Sequence, residues 1–273
     1  MPIQGSNFDF IRQLIRNRTG VVLSEDKMYL VESRLAFLVR ETGTNSLDGL
    51  VTHLRQQKSN CLTQLIIEAM MTNETFFFRD VHPFEALKIF VLPELLQKRK
   101  LEGRLNIWCG ACSSGQEPYS IAILLQENFP QLSSWQVKLI ASDISTSMLK
   151  KSMAGSYSQH EVNRGLSAGL RQKYFHPSGN QWLIKEEIRR MVEFRQMNLT
   201  ETFSSMPQID VIFLRNVLIY FDIEMKRKIL AGVRKVLRDD GYLFLGGGET
   251  TVNLDDSFIP VQLDKAVCYR LRR

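Results

Sequence analysis

The sequence has no apolar run approaching the roughly 20 residues that a membrane-crossing helix needs. Its amino end, Met1-Pro2-Ile3-Gln4-Gly5, lacks the basic-then-apolar layout of a signal peptide, so a cytoplasmic setting is expected. Cysteine and histidine are scarce, with 4 of each in 273 residues. Only Cys109 and Cys112 lie close together, which excludes a disulfide framework and suits a reducing compartment. His53, His82, His160 and His176 are dispersed and no second cysteine pair exists, so no metal site is expected. Cys109-Gly110-Ala111-Cys112 has redox-motif spacing. A dithiol enzyme wants that pair at a helix N-terminus, however, and Ser113 to Glu117 intervene. Small side chains in a tight loop account for both cysteines. Internal repeats and low-complexity segments are also missing.

What is present is ordinary for a soluble globular protein: 44% hydrophobic and 23% charged residues. The length allows one large domain, or a small one joined to a medium one. A net charge of +6 invites a nucleic-acid reading. The basic residues are scattered, though: residues 1–60 hold 8 Lys+Arg against 6 Asp+Glu, a net of +2. Lys98-Arg99-Lys100 and Lys226-Arg227-Lys228 adjoin periodic apolar residues and read as solvated helix faces.

The first 70 residues read as four short helices. Ser6 and Asp9 resemble a capping box ahead of Phe8, Ile11, Leu14 and Ile15, and Thr19-Gly20 stops that helix. Ser24 opens a second with Met28, Val31, Leu35 and Leu38, ended by Thr42-Gly43. Ser46 caps a third bearing Leu47, Leu50, Val51 and Leu54. Asn60 caps a fourth bearing Leu62, Leu65, Ile66 and Met70. Next comes Asn73-Glu74-Thr75-Phe76-Phe77-Phe78-Arg79-Asp80. It reads either as a linker whose phenylalanines anchor one domain on another, or as a ligand segment using Asn73, Thr75 and Arg79.

From residue 83 helices alternate with apolar runs. A helix over about 84–99 precedes a strand at Leu105 to Trp108, and Gln136 to Ala141 is the next strand. Helical segments follow around 145–153 and 161–174. Two short alternations, Trp182 to Lys185 and Val192 to Arg195, suggest a small antiparallel insert. Ile209 to Leu214 is a buried strand, and a helix over about 223–237 leads to Asp239-Asp240-Gly241. Tyr242 to Leu245 and Ala266 to Leu271 complete the strands. Such alternation predicts an α/β fold with a mostly parallel sheet covered on both faces.

Functional groups in such a sheet gather at the carboxyl ends of its strands. The loop from Gly110 to Glu117, with Pro118 in the first turn of a helix, lets backbone N–H groups approach a nucleotide-like ligand. Its glycines, Gly110 and Gly115, do not match the dinucleotide fingerprint, and no Lys-Ser/Thr pair is there for phosphates. Asp143, at the next strand end, suits a ribose diol or is simply a turn residue. Arg215-Asn216 closes the strand that follows.

Four stretches taken together resemble the successive signatures of the chemotaxis-receptor methyltransferases, the CheR family. They are Asn73-Glu74-Thr75-Phe76-Phe77-Phe78-Arg79, Gly115-Gln116-Glu117-Pro118-Tyr119-Ser120, Ala141-Ser142-Asp143-Ile144 and Arg215-Asn216-Val217-Leu218-Ile219-Tyr220-Phe221. They occur in the family's order, and the resemblance spans nearly the whole chain.

It implies a helical domain over 1–72 and a linker over 73–82 that contributes to the cofactor site. A doubly wound, Rossmann-like class I methyltransferase domain over 83–273 follows, with a small antiparallel subdomain at 176–196. It also implies transfer of a methyl group from S-adenosylmethionine to glutamate side chains on the cytoplasmic helical bundle of chemoreceptors. The family's cofactor positions fall on Asn73, Thr75, Arg79, Glu117, Asp143, Asn198, Leu199, Arg215 and Asn216. Arg215 and Tyr220 fall near the reacting carboxylate. Such a reaction needs in-line placement more than a general base, because the sulfonium is activated and a glutamate is already an anion. Tyr220 otherwise reads as an anchoring aromatic at a helix start.

Two features depart from the family. The second helix offers chiefly Lys27, Arg34 and Arg40 where receptor-docking members are more basic. The segment His176-Pro177-Ser178-Gly179-Asn180 is short beside members that bind a receptor's C-terminal pentapeptide tether. A monomer that does not use the tether is expected, with no nucleic acid partner and no membrane insertion. Three other readings stand beside this one: a silent S-adenosylmethionine-binding adaptor, a nucleic-acid methyltransferase or RNA-binding module, and methylation of a free small molecule.

Overall fold

The computed structural model describes residues 3–57 and 60–272. It divides into two compact units, Met1–Thr72 with Tyr220–Met225, and Asn73–Ile219 with Lys226–Arg273.

The smaller unit is built on α1 (Gly5–Thr19), α2 (Met28–Glu41), α3 (Leu47–Gln57) and α4 (Asn60–Met70). Apolar residues three and four apart close one core, with Ile11, Ile15, Val31, Leu35, Leu38, Leu50 and Ile66 all at 0% exposure. Each such side chain contributes about 1.5–3 kcal/mol through burial. Gly20, at φ +75°, caps α1 as expected, its N–H donating to the Arg16 carbonyl at 2.8 Å.

The expected capping box at Ser6 and Asp9 does not form, because α1 already begins at Gly5. Asp48, on α3, takes over the donors at that helix start. Its Oδ1 accepts from the Gln4 N–H at 3.1 Å and from Asn7 Nδ2 at 2.6 Å. Ser24 precedes a 3-10 turn (Glu25–Lys27) leading into α2, and its hydroxyl bonds Asp26 rather than a helix N–H. Ser46 caps α3 by accepting from the Gly49 N–H at 3.0 Å. Asn60, expected as a cap, is the first residue of α4, and the residues before it lie outside those described.

In the larger unit α5 (His82–Ala86) runs through a π-helical stretch (Leu87–Val91) into α6 (Leu92–Lys98). Then come β1 (Arg104–Gly110), α7 (Gln116–Asn128), β2 (Gln136–Asp143), α8 (Thr146–Ala154) and β3 (Ser156–Ser158). Next are α9 (Gln159–Asn163), α10 (Ala168–Tyr174), β4 (Phe175–Ser178), β5 (Gln181–Ile184), α11 (Glu186–Arg189) and β6 (Val192–Gln196). The chain ends with β7 (Ile209–Leu214), α12 (Ile223–Val236), β8 (Leu237–Leu245), β9 (Phe258–Leu263) and β10 (Ala266–Leu271).

The main sheet has the order β6-β2-β1-β7-β8-β10-β9. Its first five strands are parallel and the last two pairings antiparallel. β7 is buried along its full length, as a strand covered on both faces must be. Strand order reverses between β1 and β7, and this switch point is where a doubly wound sheet opens a crevice at its carboxyl edge.

Three expectations change. The antiparallel subdomain is β3-β5-β4, spanning 156–184 rather than 176–196, while Val192–Gln196 pairs in parallel with β2 at the edge of the main sheet. The helix expected over 161–174 is two short ones, separated at Gly165. Gly165 has φ +92°, and a Cβ there would lie 1.7 Å from the Phe77 carbonyl oxygen, so only glycine fits this close approach. β9, which contains Pro260, was not anticipated. At a sheet edge the missing N–H costs nothing.

Candidate active site

The carboxyl edge of the parallel strands collects most of the polar side chains singled out by sequence. After β1 the chain turns through Ala111 (φ +55°), Ser113 (φ +51°) and Gly115 (φ +91°) before α7. These left-handed positions keep the loop tight, with the Cys112 N–H donating to the Ser142 carbonyl at 2.9 Å and the Gly115 N–H to the Cys112 carbonyl at 3.0 Å. The Ser113 N–H donates to Asp143 Oδ2 at 2.8 Å, and the Ser145 N–H donates to Asp143 Oδ1 at 2.9 Å. Asp143 ends β2 at 7% exposure, with its carboxylate plane fixed by both bonds.

Glu117, in the first turn of α7, meets Arg215 just past β7. Arg215 Nη1 donates to Glu117 Oε2 at 2.9 Å. Nη2 donates to Asp80 Oδ2 at 2.6 Å and to the Arg79 carbonyl at 2.9 Å. The Arg215 side chain is 1% exposed, and its Nε is buried without a partner. Burial raises the Glu117 carboxyl above its ordinary value; Arg215 and then Arg79 pull it down, and Glu249 pushes it up.

The 73–80 segment lies against the same edge. The Asn73 carbonyl accepts from Ser113 Oγ at 2.8 Å, and the Phe78 N–H donates to Ser120 Oγ at 2.9 Å. Arg79 donates to the Glu74 carbonyl at 2.9 Å. The guanidinium groups of Arg79 and Arg164 face the Phe76 ring at 5.6 and 4.1 Å, and Arg164 pairs with Glu74 at 2.7 Å. Phe77 is fully buried, edge-on to Tyr157 and Phe175, so it anchors this segment to the core of the larger unit. Thr75 is half-buried in the same stretch.

Past β6, the Met197 N–H donates to the Asp143 carbonyl at 3.0 Å, which brings the next residues, Asn198 and Leu199, to the end of β2. Asn198 Oδ1 accepts from the Thr200 N–H at 3.1 Å, and Leu199 is buried. Asn216, at φ +57°, follows Arg215. Tyr220 closes a short 3-10 helix and falls with the helical unit, where its carbonyl accepts from the Val22 N–H at 2.9 Å. Cys109 and Cys112 are fully buried, and burial holds both thiols well above their ordinary value. The thiolate that redox chemistry needs is thereby disfavoured.

Two family models match. "CheR methyltransferase, all-alpha domain" covers residues 6–69, and "CheR methyltransferase, SAM binding domain" covers residues 73–267. The chain belongs to the CheR methyltransferase family. Full-length relatives agree. The sequence is 42% identical to Chemotaxis protein methyltransferase 1 of Pseudomonas aeruginosa, over 100% of each chain. It is 40% identical to Chemotaxis protein methyltransferase Cher2 of Pseudomonas putida, over 97% of this chain and 98% of that one. A Chemotaxis protein methyltransferase of Vibrio parahaemolyticus is 39% identical over 97% and 96%. The protein is therefore an S-adenosylmethionine-dependent methyltransferase of chemotaxis.

The residues present fit that cofactor, which combines a sulfonium, an ammonium, a carboxylate and a ribose diol. Asp143 and Glu117 supply anions from two adjacent strand ends, and the buried Nε of Arg215 is a donor with no protein acceptor. Sequence reasoning missed Glu249, which binds the loop after β7, as well as Asp80 and Arg164. The one signal for Glu249 is its position just after Gly246-Gly247-Gly248 at a strand end.

Proposed function

We propose that the chain transfers the methyl group of S-adenosylmethionine to glutamate side-chain carboxylates on the cytoplasmic helical bundle of chemoreceptors. The products are glutamyl methyl esters and S-adenosylhomocysteine, serving sensory adaptation. One observation carries this reading: the groups gathered at the switch point are anchors and charges rather than an acid–base pair. Asp143 is held by two N–H groups, and Glu117 is held by Arg215.

When bound, S-adenosylmethionine supplies a methyl group that is already activated. Asp143, held by Ser113 and Ser145, accepts from the ribose hydroxyls. Glu117 provides negative charge for the cofactor's cationic groups, and Arg215 keeps that carboxylate ionised and oriented. Asn73, Thr75, Arg79, Asn198, Leu199 and Asn216 complete the cofactor set. Both terminal nitrogens of Arg215 are already bonded within the protein. With three of its five N–H groups used within the protein and its side chain 1% exposed, Arg215 acts on the acceptor carboxylate mainly through its charge, which spares the acceptor's nucleophilicity. Tyr220 keeps the role of orienting the acceptor.

The reading includes a cytoplasmic, monomeric enzyme that does not use a receptor tether and does not bind nucleic acid. No helix among the described residues is long and apolar enough to cross a membrane. Of the cations on the second helix, Arg34 donates to the Met70 carbonyl at 2.7 Å and to Thr72 Oγ1 at 3.1 Å. It is spent on the end of α4, leaving for docking Arg40 and, in the turn before α2, Lys27, which lies 3.4 Å from Asp26 Oδ2.

The test is transfer of labelled methyl groups to isolated receptor cytoplasmic fragments, with glutamate-to-alanine receptors and an Asp143→Asn enzyme as controls. Base-labile label that requires the receptor glutamates and Asp143 supports the proposal. Bound cofactor with no transfer to any receptor fragment overturns it in favour of a silent adaptor.

A further inference from the structure

Glu249 lies three residues beyond Gly246, in the loop that follows β8. Its own N–H donates to the Gly246 carbonyl at 2.9 Å, which closes a tight turn. The carboxylate then accepts four backbone N–H groups, two on each oxygen. Oε2 takes those of Asn216 and Gly246, both at 2.7 Å. Oε1 takes those of Val217 at 2.8 Å and Ile219 at 3.2 Å. Hydrogen bonds to an ionised acceptor are roughly twice as strong as neutral ones.

The four donors form an anion-binding concavity of the kind that elsewhere holds phosphate, and here the chain's own carboxylate fills it. Two further observations show that the loops are built around this contact. Asn216 adopts φ +57°, a left-handed conformation that asparagine tolerates better than most residues. Gly246 has no room for a side chain, since a Cβ would come within 2.6 Å of Asn216 Nδ2 and 2.8 Å of Glu249 Oε2.

We propose that Glu249 is a positioning residue for methyl transfer. By filling the nest of Asn216, Val217, Ile219 and Gly246 N–H groups, it fixes the loop that carries Arg215 and Asn216 at the cofactor site. The inference rests on the cofactor-site assignment of Arg215 and Asn216 made above.

The experiment is calorimetric titration of the full chain with S-adenosylhomocysteine, for wild type, Glu249→Ala and Glu249→Gln. Binding by wild type tests the cofactor site itself, separately from Glu249. In Glu249→Ala the nest is open, and the dissociation constant is expected to rise about tenfold or more. Added acetate, a carboxylate small enough to enter the nest, is expected to restore part of that affinity, while chloride at equal ionic strength does not. Glu249→Gln is expected to lose at least as much, because its amide NH2 faces two N–H donors. Should the alanine variant fail to fold, the near-isosteric glutamine variant carries the same comparison. Variants that bind within about twofold of wild type, or a loss that acetate restores no better than chloride, would overturn the proposal.

Discussion

Arg215→Met is the most informative single perturbation. The arginine side chain is 1% exposed and its main partner, Glu117, is 12% exposed, whereas Asp80 is 51% exposed. Truncation leaves Asp80 free to take water but strands the Glu117 carboxylate. Breaking a buried pair in this way costs about 3–5 kcal/mol. For a unit of about 200 residues, each kcal/mol lowers Tm by about 2–4 °C, so a loss of roughly 6–20 °C is expected.

The loss should depend on pH, with a definite sign. Burial already raises the Glu117 carboxyl above its ordinary 4.5, and Arg215 is the chief group opposing that rise. Removing the arginine raises the folded-state value further. Folding then disfavours the ionised form, so the penalty is absent below the ordinary glutamate value and grows as pH rises through the folded one. The double variant Arg215→Met/Glu117→Gln has no buried charge to strand and should recover most of the stability at neutral pH.

Trp108, Trp135 and Trp182 all lie in the larger unit, so tryptophan fluorescence during thermal or urea unfolding follows that unit alone. Equal losses at pH 5 and pH 8, or a double variant no more stable than Arg215→Met, would refute the reasoning.

Asp143→Asn keeps the shape but replaces one accepting oxygen with an NH2 that faces the Ser113 or Ser145 N–H. We expect a stability loss of about 1.5–3 kcal/mol and at least tenfold weaker S-adenosylhomocysteine binding, read by urea unfolding and calorimetry. Gly165→Ala forces a Cβ to 1.7 Å from the Phe77 carbonyl oxygen at a left-handed φ. It should displace the 73–80 segment and weaken cofactor binding more than Gly179→Ala, which has φ +58° but open space. Of the four cysteines, Cys61 is exposed and the other three are buried. One thiol should therefore react with a disulfide reagent in the native protein and four after unfolding; fast reaction of Cys109 or Cys112 would contradict their burial.

Much of the fold is legible along the chain because it depends on near neighbours. Gly20 ends α1 since only a left-handed residue suits that cap, and Ser46 caps α3 from three residues away. The apolar run into β1, the small-residue loop and the start of α7 are likewise local. So are Asp143 and Arg215-Asn216 at their strand ends, where the motifs resembling the CheR family sit. Asn198 and Leu199 came from that resemblance alone, as no local pattern marks a loop that reaches β2 through the Met197 N–H.

The sequence by itself thus determined the helical first domain, the alternating sheet, the edge at which the polar residues collect and the family. Tertiary structure alone decided which of them touch. The alternation at Val192–Gln196 specifies a strand with one buried face but not its neighbour, so its place beside β2 appears only in the folded sheet. The same holds at the site. Arg215 is bonded to Glu117, 98 positions away, and to Asp80, 135 positions away, while Glu249 reaches back 33 positions to Asn216. A charged side chain pairs with whatever the strand order brings within about 3 Å, and strand order is settled by packing the whole sheet rather than by any local pattern.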